Sequence, residues 1–245
     1  MSVNESTLAK IRAILAKAED PAATPEEAET YFSKAASLMS KYGVERAMLA
    51  EADPSTDKPS TRIITVKGSY LLDRVQLLNN ITQALGGQTV RWRVFDRETG
   101  KNAHRVELHA YESTLDRVEI LFTSLLLQAF NGMRQSRPAW GESTTAYRKS
   151  WLAGFSQSVY QRLTDAEEIA AAQATKELGG RSAELVLASR EDTIRVQFKA
   201  AYPKLRMAPK RRLTGSGWSE GKAAGQRADL GGTRVSSGRR RAVSA

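Results

Sequence analysis

Cysteine is absent from this 245-residue chain and histidine occurs only twice. The first absence excludes disulfide frameworks, thiolate nucleophiles and cysteine-based zinc or iron–sulfur centres. The second leaves little room for imidazole chemistry. Long apolar runs are missing too. The stretch from Leu121 to Phe130 is broken by Thr123, Ser124 and Gln128, far short of the ~20 residues a membrane helix needs. The opening residues, MSVNEST, are polar and lack a basic-then-apolar leader pattern. The expectation is a soluble, intracellular protein with no membrane partner, and the residues offer no enzyme signature.

What is present is ordinary globular material, 41% apolar and 26% charged, long enough for one or two domains. The net charge of +10 is unevenly spread. From Ala208 onward the basic residues are Lys210, Arg211, Arg212, Lys222, Arg227, Arg234, Arg239, Arg240 and Arg241, against Glu220 and Asp229 alone. The rest of the chain is nearly balanced. Such a tail attracts polyanions without specifying a fold.

Hydrophobic spacing predicts an α+β, mostly helical protein: an N-terminal helical hairpin, a small antiparallel β-hairpin or sheet packed by long helices, and a flexible basic tail. Ser6 is placed to cap a first helix carrying Leu8, Ile11, Ile14 and Ala18. Thr24-Pro25-Glu26-Glu27 opens a second as a capping box, and Gly43 is its expected left-handed stop, with a further turn or two from Val44 to Ala52. Asp53 to Thr61 reads as a linker, so residues 1–52 form one unit and 62–207 an α+β body. In that body Arg62–Val66 is a strand, Leu71–Leu85 a helix stopped by Gly86-Gly87, and Gln88–Phe95 with Ala103–Ala110 a hairpin about Asp96–Lys101. Ser113 opens a helix to about Met133. A very long helix runs from Thr144 or Thr145 to Leu178. At ~1.5 Å per residue it would span roughly 50 Å, which implies a bend near Thr164 or a projecting arm. Leu185–Leu187 reads as a short strand and Glu191–Tyr202 as a helix ended by Pro203; regular structure stops near Ala208.

The chemistry-bearing residues are few. His104 and His109 fall on opposite faces of a strand and lack further soft ligands, so no metal site is expected. Gly215, Gly217, Gly221 and Lys222 resemble a phosphate loop only superficially, since no strand precedes them and Ala223 stands where a hydroxyl would hold Mg²⁺. Glu26, Glu27 and Glu29 suit a helix first turn, and Glu167 and Glu168 read as solvated. No catalytic residue and no cofactor are assigned. Tyr147, Trp151 and Phe155 recur every fourth residue, a pattern that fits a buried face or a partner groove.

The segments Ala9-Lys10-Ile11-Arg12-Ala13-Ile14-Leu15-Ala16-Lys17-Ala18-Glu19, Thr24-Pro25-Glu26-Glu27-Ala28-Glu29 and Ala35-Ala36-Ser37-Leu38-Met39-Ser40-Lys41-Tyr42-Gly43 resemble a helical-hairpin family of unknown function found in actinobacteria, plasmids and phages. With the chain length and basic tail, the sequence also looks like the recombination directionality factors of Streptomyces temperate phages. That resemblance implies a non-catalytic accessory protein in the cytoplasm of a bacterial host. Such a protein binds a large serine integrase on attachment-site DNA and turns it from integration to excision. Tyr147, Trp151, Ile169 and Leu178 are the candidate partner-binding residues. Lys210, Arg211, Arg212, Arg239, Arg240 and Arg241 are candidates for weak, non-specific DNA contact. The alternative is a non-specific DNA-binding protein using that tail, and an enzyme of unrecognised chemistry is a third reading that no residue requires.

Overall fold

A computed structural model describes residues 3–18, 25–178, 182–206, 208–209 and 211–228. Within them the chain forms α1 (Val3–Ala18), α2 (Pro25–Ala52), β1 (Pro59–Val66), α3 (Leu71–Ala84), β2 (Gln88–Asp96), β3 (Lys101–Tyr111), α4 (Glu112–Gln135), α5 (Thr144–Leu178), α6 (Ala183–Ala201) and α7 (Trp218–Arg227). The expected α+β, mostly helical class is what the chain adopts.

The three strands make one antiparallel sheet in the order β1-β3-β2, with β2 and β3 joined by the expected hairpin. Gly100 turns that hairpin at φ +65°, and Gly86 ends α3 at φ +78°, conformations that side chains resist. Alternation does the rest. Val106, Leu108 and Ala110 of β3 are buried on the face beneath α3 and α4, beside Ile64 and Val66 of β1. On the opposite face α6 lays Phe198 and Tyr202 over His109, with ring centroids 5.1 and 5.5 Å away. Helix α5 crosses α3, where Asn80 Nδ2 donates to the Ser156 carbonyl at 3.0 Å. A single apolar cluster runs from Leu8 and Ile11 of the first hairpin through Leu78, Ile81 and Leu125 to Phe155 and Val159.

Several expectations are corrected. α1 begins at Val3, which puts Ser6 inside the helix rather than at its cap. Gly43 does not stop α2, which continues to Ala52. It is glycine because a Cβ there would lie 2.7 Å from Arg117 Cζ, so the position serves a close approach. Thr24 and the side chains of Glu26, Glu27 and Glu29 lie outside the described residues. Leu185–Leu187 is helical, part of α6, because Val186 joins Ile194 and Phe198 on its buried face.

The stretch Asp53–Thr61 is no free linker either. Asp57 is 2% exposed. Its carboxylate accepts from Ser113 N at 3.1 Å and Ser113 Oγ at 2.6 Å, and it pairs with Arg190 of α6. Ser113, the expected cap of α4, sits instead in the first turn, and Asp57 supplies the anion that the helix N-terminus favours. Arg190 in turn lies over the Tyr111 ring, 3.5 Å from its centroid.

Candidate interaction surfaces

Two of the four candidate partner-binding residues are unavailable. Tyr147 and Trp151 are each 1% exposed, the latter stacked on Phe155 at 5.6 Å and 13°. α7 covers them on one side, and Gly132 of α4 lies against the Trp151 indole on another. The inner face of α7 is built of glycine and alanine rather than large apolar side chains, so it packs by backbone approach. Gly217, Gly221 and Gly225 recur every fourth residue and rest against the backbone of Tyr147, Trp151 and Phe155, while Gly154 of α5 meets the Trp218 carbonyl. The two helices thus interlock with backbone nearly touching backbone, an approach only glycine permits. The glycines that suggested a phosphate loop are packing residues, and the expectation of no order beyond Ala208 fails for residues 218–227.

Polar contacts fix this C-terminal cover along its length. Tyr147 Oη donates to Glu220 at 2.6 Å, and burial together with that carboxylate pushes the phenol up to about 12. Arg162 donates to the carbonyls of Gly225, at 2.9 Å, and Ala228. Ser216 donates from N and Oγ to Glu142, both at 2.7 Å, which holds that carboxyl below its ordinary range. Arg211 reaches Asp73 of α3 at 2.8 Å. Desolvation raises the Asp73 carboxyl, and the Arg211 guanidinium only partly opposes this.

The second half of α5 is not a projecting arm. Glu167, expected in solvent, pairs with Arg117, which is 4% exposed, and accepts from Ser40 Oγ at 3.0 Å. Ala171 is buried, and Thr175 Oγ1 accepts from Ala183 N at 3.1 Å as α6 turns back. Among the described side chains of this half, Ile169 is a large apolar residue placed in solvent, at 58% exposure. Leu178 ends the helix, and its side chain lies outside the described residues. On α6, Leu185 and Val196 are similarly open, at 60% and 65%. They are three helical turns apart and share one face.

The nucleic-acid candidates divide in the same way. Arg211 is engaged with Asp73, and Arg212 is exposed. Lys210, Arg239, Arg240 and Arg241 lie outside the described residues. Sequence reasoning centred on the tail misses a second basic group in the β2–β3 hairpin: Arg91, Arg93, Arg97, Lys101 and Arg105 are all exposed. The signal is present as five basic residues within fifteen positions, which the hairpin register places on opposite faces of the two strands. His104 is buried beside Arg91. Burial, then the charge of that arginine, lowers its pKa and keeps it neutral. His109 meets Glu107 at 3.0 Å. Among the described residues no three His, Asp or Glu side chains cluster to hold a metal ion, and no helix is long and apolar enough to cross a membrane.

Residues 6–46, spanning most of α1 and α2, match the model of a family described as a protein of unknown function, DUF2786. No curated protein and no solved structure matches the chain significantly.

Proposed function

We propose that this protein is a recombination directionality factor: an accessory protein that binds a large serine integrase on attachment-site DNA and switches it from integration to excision. The hairpin match over residues 6–46 supports the first part of the resemblance on which this reading began. The observation that carries the binding step is Ile169, a β-branched apolar side chain 58% exposed on a 35-residue helix whose flank is mostly alanine. Alanine allows another helix to approach closely, Ile169 supplies an anchor, and the exposed Glu168 and Lys176 set orientation at the rim. Tyr147 and Trp151 have no part in this surface, since α7 covers them.

A switch of this kind needs no chemistry from the accessory protein. It needs different affinity for two integrase arrangements, the one that pairs the original attachment sites and the one that pairs the hybrid sites. Moving such an equilibrium from one extreme to the other takes about 5.5 kcal/mol of differential binding. A buried isoleucine contributes roughly 2–3 kcal/mol of that.

Ile169→Asp tests the reading. Because the residue is exposed, the variant keeps the parent melting temperature. Its binding to purified integrase weakens at least tenfold, and recombination of the hybrid sites in vitro falls with it. A variant that folds, binds and stimulates excision as the parent does removes α5 from the interface. A parent chain that leaves integrase unchanged on both pairs of sites removes the function itself.

A further inference from the structure

The β2–β3 hairpin outruns the rest of the sheet. β1 stops pairing with β3 at Val66↔His104, whereas β2 and β3 continue through Val94↔Ala103 and Phe95↔Asn102 to Asp96↔Lys101. Those three extra rungs extend a two-stranded ribbon by about 10 Å beyond its neighbour strand. Its cations lie on both faces and at the tip. Arg91 and Arg93 are on the face of Phe95, Lys101 and Arg105 on the face of Trp92, and Arg97 in the turn. None of the five is paired with a carboxylate among the described residues. The two acids near the tip, Asp96 and Glu98, are answered by Lys67 at 2.9 and 3.5 Å, and Glu107, nearer the base, accepts from Tyr202. Between the cations Phe95 is 65% and Trp92 39% exposed.

We infer that this hairpin is a binding element for double-stranded DNA, entering the major groove with Arg93, Arg97 and Lys101 against the phosphates on either side. The dimensions agree. The B-form major groove is about 12 Å wide and 8.5 Å deep, and it admits a two-stranded ribbon. The charge distribution points the same way. A groove presents phosphates to both faces of what enters it, whereas a flat anionic bilayer would meet one face. The deep, narrow major groove of duplex RNA would not admit the ribbon. Charged side chains on the edge strand also discourage pairing with other chains. Arg91 and Arg93 would suffice for that, and it leaves Arg97 in the turn and Lys101 at the start of β3 without a purpose. With cations outnumbering groups suited to reading base edges, the binding is insensitive to sequence and steeply dependent on salt. This inference is independent of the integrase reading, because DNA alone is the ligand.

The full-length protein, its R93Q/R97Q/K101Q variant and an R239Q/R240Q/R241Q variant are titrated with a labelled mixed-sequence duplex of about 20 base pairs, from about 0.05 to 0.2 M salt. Every phosphate that goes unneutralised flattens the dependence of log K on log salt by about 0.9, so the hairpin variant shows a slope shallower by roughly 2–3 and at least tenfold weaker binding near 0.1 M. Arg97 and Lys101 make no polar contact among the described residues, so R97Q/K101Q provides a second variant should the triple one melt early. A hairpin variant that binds as the parent does, with the weakening confined to the tail variant, overturns the inference. So does a parent chain that prefers duplex RNA or phosphatidylserine–phosphatidylcholine vesicles to DNA.

Discussion

Gly221→Ala sets two physical effects against each other. In an exposed helix the change stabilises by about 1 kcal/mol, since alanine gives up less backbone entropy than glycine. At Gly221 the added Cβ would sit 2.6 Å from the Trp151 carbonyl carbon and 2.8 Å from its Cα. Carbon atoms need about 3.5–4.0 Å, so α7 must move away by roughly 1 Å. Both partners are helical backbone, and neither has a flexible end that could swing aside. The shift loosens Gly217 and Gly225 on the same face and strains the hydrogen bond from Tyr147 to Glu220. Overpacking of this kind costs about 1–3 kcal/mol. If α7 leaves altogether, roughly half the ~150–250 Å² of each aromatic ring system at Tyr147 and Trp151 returns to water, about 4–6 kcal/mol at ~25 cal/mol per Å². Set against the helix-propensity gain, the net expectation is a loss of up to about 2 kcal/mol if α7 shifts but stays docked and about 3–5 kcal/mol if it leaves, at about 2–4 °C in Tm per kcal/mol for a chain of this size. Thermal melting measures it, with hydrogen exchange of α7 to locate the change. Gln226→Ala, on the exposed side of the same helix, is the control and should shift little. A Gly221→Ala variant that melts at or above the parent temperature would refute the packing account. The same reasoning makes a chain ending near Met207 unstable, the reverse of what an unstructured tail implies.

Asp57→Asn keeps the shape but removes the charge that answers Arg190 and the α4 N-terminus; a loss of about 2–4 kcal/mol is expected, read as a lower urea midpoint with unchanged slope. At high pH, the folded state holds the Tyr147 proton up to about 12 while the unfolded chain releases it near 10, so stability present below pH 10 drains away as pH rises toward 12. Tyr202, donating to Glu107 and also pushed up to about 12, behaves alike. Tyr147→Phe should therefore flatten the fall of Tm between pH 10 and 12, and an unchanged profile would place the effect elsewhere. Gly43→Ala forces Arg117 away from its position beside Glu167 and should cost about 1–3 kcal/mol by the same melting assay.

Elements that announce themselves by local chemistry are legible in the sequence. α3 with its Gly86-Gly87 stop, the β2–β3 hairpin and both ends of α5 follow from periodicity and turn residues alone. The failures share a cause, since each depends on a partner distant in the chain. Gly43 satisfies the pattern of a helix stop equally well as that of a close approach to Arg117, five elements further on in α4. Asp57 looks solvated among prolines and serines until Ser113 and Arg190 arrive. Leu185 to Leu187 is too short a run for period to separate helix from strand. α7 is the extreme case: it buries glycine instead of leucine, so its inner face carries no stripe of large apolar side chains. Of the candidate site, Ile169 is legible because it is an isolated large residue in an alanine field. The spacing of Tyr147 and Trp151 fits a buried face, and that alternative is realised; what the sequence hides is the glycine-built helix that helps to cover them.

The dependence of α5 on α7 also orders events in time. About 70 residues separate Trp151 from Gly221, and at about 5–20 residues per second the ribosome takes roughly 4–14 s to cross that interval. Throughout it the aromatic face of α5 has been synthesised and its cover has not. Until then the α7-facing side of that aromatic surface is open to water, to chaperones and to other nascent chains. A message cut short before the last helix would yield a product that never closes that face, with most of the other elements in place but a ready site for aggregation or proteolysis. α7 thus closes late a face that α5 presents early, and it does so with glycine rather than with large apolar side chains.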